Sequence, residues 1–204
     1  LRLQTLPVLK LINENPYRTP ALFDQRAPGG WVSKIKVPTF LVGSFQDEQT
    51  GGHFPESLGG LAKNKNVWLL LQNGVHADSL GPSAITKWAE FLDLFVADRV
   101  PKIPGSILSL SGKLYEFLAD AGASPVKQSR FADTTDVAAD RAVFKKDPRV
   151  QLLMDNGAGP AGPGSIGATW ELGYNSWPIK EAKATTYYLG SNGALAPGKP
   201  SQST

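Results

Sequence analysis

Two residues of complementary chemistry, an acid and a histidine, follow two apolar runs at the same interval. Asp47 lies five residues after Val42, and His76 lies five residues after Leu71. A carboxylate that accepts the hydrogen of one imidazole nitrogen fixes the tautomer of the ring, so that the other nitrogen can take a proton from a serine. The spacing therefore makes Asp47 and His76 candidates for the acid and the general base of a Ser-His-Asp site.

The segments that carry this pair predict a parallel β-sheet. Residues 37–43 (VPTFLVG) and residues 67–71 (VWLLL) are continuously apolar, which is typical of strands buried on both faces. Residues 54–64 can form a short helix between them, which gives a βαβ unit. Because parallel strands end at the same edge of a sheet, we expect the loops that carry Asp47 and His76 to meet there.

Residues 1–104 are expected to form this α/β unit. Residues 1–31 contain four prolines that interrupt any long helix, so we interpret them as a connector. Residues 83–97 place apolar side chains at spacings of three and four. This pattern predicts an amphipathic helix packed on the sheet, with Ser83 at its N-cap position.

Composition changes after the proline- and glycine-containing segment 99–106. We interpret residues 105–147 as a connector or insertion with short helices over 107–119 and 135–146. From 148 to 204 the chain has short apolar runs between turns rich in Gly, Pro and Asn, which is typical of antiparallel β-structure. We expect these strands to begin a β-sandwich that packs separately from the parallel sheet.

The composition argues against several classes of function. The 204 residues carry a formal net charge of +3, and no basic run is longer than Lys145-Lys146, so nothing indicates nucleic-acid binding. The absence of cysteine excludes disulfides, thiolate metal sites and a cysteine nucleophile, and no pattern predicts a metal or cofactor site. The sequence has no apolar run of the roughly 18 residues that span a membrane. It does not indicate a cellular compartment.

An ordinary structural role is the alternative for each candidate. An aspartate after a strand commonly caps a turn, and a histidine in a loop is commonly solvated. The order and separation of Asp47 and His76 favour catalysis, because α/β-hydrolases run nucleophile, acid, histidine along the chain. For their neighbours the structural interpretation is preferred: His53 as a surface residue at a helix start, Glu48 as a solvated turn residue, and Asp78 as a turn or cap residue.

The nucleophile is missing from this pattern. The elbow motif G-x-S-x-G does not occur, and the serines in its nearest imitations, Ser165 in PGSIG and Ser191 in LGSNG, follow the histidine. That order is wrong for the fold, so both segments are interpreted as turns. Ser44 lies only three residues before Asp47, too close to reach the other side of the imidazole. We therefore expect the nucleophile upstream of Leu1, in a chain that is a fragment or a processed product.

Four segments resemble the X-prolyl dipeptidyl-peptidase and cocaine-esterase group of serine hydrolases. WVSKIKVPTFLVGSFQDEQT (31–50) is similar to the group's triad-acid segment, and NVWLLLQNGVHAD (66–78) is similar to its triad-histidine segment. FDQRAPGGW (23–31) resembles the end of its helical cap. Residues 148–197, with their Trp-Pro and their Tyr-Tyr-Leu before an Asn-Gly turn, resemble the opening of its C-terminal jelly-roll domain.

This resemblance implies the C-terminal part of an α/β-hydrolase fold followed by a partial jelly roll. It implies that Asp47 is the orienting acid and His76 the general base of an enzyme that hydrolyses small-molecule esters, amides or peptides through an acyl-enzyme. The serine and the oxyanion hole would come from the remainder of its own polypeptide. The alternative is a non-catalytic binding protein, with a degenerate hydrolase scaffold and a jelly-roll module that binds a ligand.

Overall fold

A four-stranded sheet organises the chain in a computed structural model, which describes residues 7–25, 27–119, 125–154, 166–190 and 193–199. The strand order is β1-β2-β3-β4, in which β1, β2 and β3 are parallel and β4 is antiparallel to β3. A small antiparallel sheet pairs β5 with β6. The strands are β1 (Thr39–Ser44), β2 (Val67–Gln72), β3 (Val150–Met154), β4 (Trp170–Tyr174), β5 (Tyr188–Leu189) and β6 (Leu195–Ala196).

Six α-helices lie among the described residues, and several continue into tighter or wider turns. They are α1 (Val8–Glu14), α2 (Pro20–Phe23), α3 (Pro55–Leu58), α4 (Pro82–Leu92), α5 (Gly105–Ala119) and α6 (Val137–Phe144). The chain thus combines helices with a mostly parallel sheet, in agreement with the expected α/β class. None of the described helices has the length and apolar character needed to cross a membrane.

The predicted βαβ unit is confirmed. All six residues of β2 are buried, as its continuous apolar run requires, and β1 pairs with it in parallel from Thr39↔Val67 to Ser44↔Gln72. The crossover consists of α3 and a following 3-10 turn, from which Leu58 and Leu61 pack against β2 and β3. Because β1 and β2 end in register, the loops that follow them leave the sheet at the same edge.

Helix α4 covers the predicted amphipathic segment, but its start differs from the prediction. Ser83 is not the N-cap: Gly81 caps the helix, and Pro82 occupies the first helical position. Proline suits that position because its φ is already helical and the N–H that it lacks would have no helical partner. After Leu92 the backbone widens into a π turn, Asp93–Ala97, which ends at Asp98 in the left-handed conformation (φ 52°).

Residues 105–147 contain the two predicted helices: α5 packs against α4, and α6 packs against β2. Asp136 caps α6 by accepting hydrogen bonds from the N–H groups of Ala138 and Ala139 at 2.9 and 3.0 Å. Phe144, at the end of α6, is 1% exposed and packs in an aromatic cluster with Trp68 of β2 and Phe91 of α4. This segment therefore contacts the parallel sheet through α6 and the helix α4 through α5.

The expectation that residues 149–197 pack separately from the parallel sheet is wrong for β3 and β4. Strand β3 lies beside β2 in parallel, with Leu70 opposite Gln151, and β4 continues the same sheet. The error arose because the turn-rich segment after β3 resembles an antiparallel pattern. In the structure, Val150 packs with Leu58 and Leu61, and Leu153 packs with Ala84 of α4. The antiparallel part of the expectation holds for β3 with β4 and for β5 with β6, and residues 168–190 contain no helix.

Candidate active site

The candidate site lies at the carboxyl edge of β1 and β2. Two backbone bonds continue beyond the paired strands, from the N–H of Phe45 to the carbonyl of Gln72 (2.8 Å) and from the N–H of Gln46 to the carbonyl of Gly74 (3.0 Å). These bonds hold the two loops side by side just beyond the ends of the strands. The acid and the histidine that follow are therefore carried on adjoining, tethered backbones.

The predicted contact between the two candidates is confirmed. His76 Nδ1 lies 2.8 Å from Asp47 Oδ2, within the range of a charge-assisted hydrogen bond. The side chain of Asp47 is 7% exposed, whereas that of His76 is 44% exposed. The carboxylate is thus enclosed while part of the imidazole remains open to solvent or to a reacting group.

Asp47 is held as a carboxylate by its own turn. Its Oδ1 accepts the backbone N–H groups of Gln49 and Thr50, each at 2.8 Å, which leaves Oδ2 for the imidazole. The N–H of Thr50 is the main cause that holds the pKa of Asp47 well below its ordinary value; the contacts with His76 and Gln49 act in the same direction and desolvation opposes them. Gly51, at φ +75°, closes this turn in a conformation that favours glycine.

An ionised Asp47 determines what the imidazole can do. A carboxylate only accepts hydrogen bonds, so Nδ1 must carry the hydrogen in the contact with Asp47. The neutral ring then has an unprotonated Nε2, which can take a proton from a hydroxyl and later return it. This is the arrangement of a general base with an orienting acid.

Glu48 is an exposed turn residue, as expected, and it also makes a contact that the sequence did not predict. Its Oε2 accepts the backbone N–H of His76 at 3.1 Å, although the residue is exposed. Its own backbone N–H is the main cause that lowers the pKa of Glu48, and the N–H of His76 adds to it. Sequence reasoning missed this contact because it joins residues 28 positions apart in two irregular loops.

The turn that begins at His76 is fixed at its other positions as well. Asp78 Oδ2 accepts the N–H of Val75 at 2.9 Å, so the interpretation of Asp78 as a cap residue is confirmed. The hydroxyl of Tyr115, on α5, donates to the carbonyl of Leu80 at 2.5 Å. Burial raises the pKa of Tyr115. The sequence did not indicate this role of Tyr115, because nothing in α5 predicts a contact with the turn that begins at His76.

The described serines near the pair have structural roles. Ser44 is fully buried; its Oγ accepts a hydrogen bond from Gln72 Nε2 at 3.1 Å and lies 3.2 Å from Ser79 Oγ. In the part of the chain that the structure describes, no serine hydroxyl is hydrogen-bonded to His76. Ser165 and Ser191 lie outside the described residues.

The second histidine is remote from this chemistry. The side chain of His53 is 96% exposed, and its Nδ1 lies 4.0 Å from Glu56 Oε1 in the turn that leads into α3. The interpretation of His53 as a surface residue is confirmed. The described residues also contain no group of three or more His, Asp and Glu side chains placed to hold a metal ion.

No protein-family model, curated protein or solved structure matches this chain. The geometry of Asp47 and His76 is the feature of this chain that bears most directly on its function.

The lowered pKa of Asp47 predicts an acid-sensitive contribution to stability. A carboxyl whose pKa falls on folding stabilises the folded state above its ordinary value, 3.8 for this group, and the contribution is lost as pH falls toward the folded value. We expect the free energy of unfolding to be higher for wild type than for Asp47→Asn at about pH 5.5, and the difference to shrink below about pH 4. Urea unfolding followed by tryptophan fluorescence measures both; an equal difference at about pH 2.5 would contradict the prediction.

Proposed function

We propose that this chain supplies the acid and the general base of a serine hydrolase that cleaves esters or amides. The observation that carries the proposal is the 2.8 Å contact between Asp47 and His76 at the carboxyl edge of two adjacent parallel strands. Further support comes from the enclosure of the acid, the exposure of the imidazole and the order of the two residues along the chain.

The chemistry proceeds in two halves. In the first, His76 Nε2 takes the proton of a serine hydroxyl while the serine oxygen forms a bond to the acyl carbon; the leaving alcohol or amine then departs with that proton. In the second, a water molecule attacks the acyl-enzyme, gives its proton to Nε2, and the serine oxygen regains a proton as the acid is released. Asp47 remains ionised throughout and stabilises the imidazolium that forms twice.

The serine in this proposal comes from a segment outside the described residues. Ser44 is fully buried, and its hydroxyl is engaged by Gln72 and Ser79. Donors for the tetrahedral oxyanion come from the same segment as the serine in this proposal, because such donors must face the carbonyl that the serine attacks.

The proposal extends to the fold. We infer that β1 and β2 are the acid- and histidine-bearing strands of an α/β-hydrolase sheet, of which they form the C-terminal part. Helix α4 would be the helix that follows the histidine loop. The small β5–β6 sheet is the part of the jelly-roll expectation that remains in the proposal, since β3 and β4 continue the sheet of β1 and β2.

A fluorophosphonate probe and an activated aryl ester test this function. In a form of the protein that also contains the nucleophile segment, we expect the probe to label one serine outside the described residues, and His76→Ala to abolish both labelling and ester turnover. The 204-residue chain by itself should give neither. His53→Ala is the matched control and should change nothing, because its side chain is 96% exposed and lies in a different turn.

Two results would contradict the proposal. Labelling or turnover that survives His76→Ala would mean that His76 is not the general base. An adduct located by mass spectrometry on Ser44 would mean that the nucleophile lies within the described residues and that its hydrogen bonds to Gln72 and Ser79 do not hold in the active protein.

A further inference from the structure

We propose that Glu48 is a positioning residue for His76: its carboxylate holds the backbone of the histidine in the orientation that keeps the imidazole on Asp47. This inference rests on the proposed function, since it concerns the general base of that site. It assigns a role to the second carboxylate of the turn, which contacts no ring atom of His76 in the described hydrogen bonds.

The geometry fixes the histidine at two points. Asp47 Oδ2 lies 2.8 Å from the ring nitrogen Nδ1, and Glu48 Oε2 lies 3.1 Å from the backbone nitrogen of the same residue. Between these two nitrogens only the side-chain torsions χ1 and χ2 of His76 are free to turn. Holding both ends by consecutive residues of one loop therefore restricts the ring direction, and with it the direction of Nε2.

The support for Glu48 comes from the same short turn. Asp47 closes that turn by accepting the N–H groups of Gln49 and Thr50, so the backbone from which Glu48 projects is itself fixed. Glu48 stays ionised near neutral pH, and an ionised acceptor makes a stronger hydrogen bond to an N–H than a neutral one does. The exposure of Glu48 weakens this bond, which predicts a moderate effect on the histidine and leaves the global fold unaffected.

A purely structural role for Glu48 is the competing hypothesis. In that case the hydrogen bond to His76 would only connect two loops. Its loss would lower the stability of the protein without changing the tautomer of the imidazole or its contact with Asp47. The two hypotheses differ in what happens to the imidazole. The decisive measurements are therefore those that report the ring and its contact with Asp47 directly.

The experiment uses the 204-residue chain labelled with ¹⁵N-histidine, which gives two sets of ring signals, one for His76 and one for His53. The ¹⁵N shifts of each ring report which nitrogen carries the hydrogen, and a low-field proton signal reports the Nδ1–H bonded to Asp47. Exchange of the His76 amide proton reports the bond to Glu48. The exposed His53 serves as an internal reference in every sample.

Four variants separate the contributions. Glu48→Ala removes the acceptor, Glu48→Asp keeps the charge but shortens the reach by one methylene, and Glu48→Gln keeps the reach and an acceptor oxygen. Asp47→Asn replaces the acceptor of the Nδ1 hydrogen by an amide that donates. We expect Glu48→Ala and Glu48→Asp to speed exchange of the His76 amide by about fivefold or more. Both should weaken the low-field signal and mix the two ring tautomers. Glu48→Gln should stay close to wild type.

The outcomes separate this inference from the proposed function. Unchanged ring signals in both Glu48→Ala and Glu48→Asp, with loss of the low-field signal in Asp47→Asn, would overturn the positioning role and leave the acid–histidine pair intact. A wild-type His76 ring without an Nδ1–H signal would overturn both. Should Glu48→Ala fail to fold, the comparison of Glu48→Asp with Glu48→Gln decides. Asp keeps the charge but not the reach to the N–H of His76, whereas Gln keeps the reach but not the charge.

Discussion

Asp47→Asn should lower kcat by about 10⁴ in a form of the protein that includes the nucleophile, while leaving the fold intact. The amide oxygen of Asn can replace Oδ1 as the acceptor for the N–H groups of Gln49 and Thr50, so the turn survives. The amide nitrogen then takes the place of Oδ2 and offers hydrogens to the imidazole. His76 Nδ1 must become an acceptor, its hydrogen moves to Nε2, and the ring can no longer take a proton from a serine.

The matched control for this prediction is Glu48→Gln, one residue along the same turn. Glutamine retains an oxygen that can accept the N–H of His76, so kcat should change little. Steady-state kinetics on an activated ester, with circular dichroism to verify folding, give both values. Equal losses for the two variants would mean that the wrong carboxylate of the turn has been assigned to the ring.

The acid–histidine pair could be predicted from sequence because local patterns determine it. A continuous apolar run that forms a buried parallel strand also determines where that strand ends, and the residues a fixed distance beyond it lie at one sheet edge. Asp47 and His76 occupy such places, and the register of β1 with β2 brings them together. The same logic predicted the crossover between the strands and the amphipathic helix after His76.

The residues that support the histidine could not be predicted in this way. Glu48 contacts the backbone of His76 across two irregular loops, and Tyr115 reaches Leu80 from a helix that begins 25 residues further along the chain. Neither contact has a periodicity or a fixed spacing, because each depends on how distant elements pack. Residues with these roles are identified from tertiary structure, while the titratable residues that they support are visible in the sequence.

The place of strand β3 in the parallel sheet could not be predicted from its own sequence. Its five residues include a polar Gln151 and two other partly exposed positions, so the segment lacks the continuous apolar run that identified β1 and β2. The connection from the end of β2 to the start of β3 contains α4, α5 and α6. Parallel pairing over such a separation is decided by the packing of the crossover, for which the local sequence of β3 carries little information.

Helices α4 and α6 of this connection meet β2 in an aromatic cluster. The ring of Phe144, from α6, lies with its centroid 5.2 Å from that of Trp68 and 5.6 Å from that of Phe95, in edge-to-face contacts, and 6.3 Å from that of Phe91. These partners come from β2, from α4 and from the π turn that follows it. Phe144 therefore packs α6 against β2 and against α4.

Phe144→Ala should therefore lower the free energy of unfolding by about 3–5 kcal/mol, the usual cost of truncating a buried phenylalanine. Val143, the preceding residue, is 46% exposed, so Val143→Ala should change it by no more than about 0.5 kcal/mol. Urea unfolding followed by tryptophan fluorescence measures both variants, and Trp68 lies within the cluster that is changed. Similar small losses in the two variants would mean that α6 is not packed on the sheet.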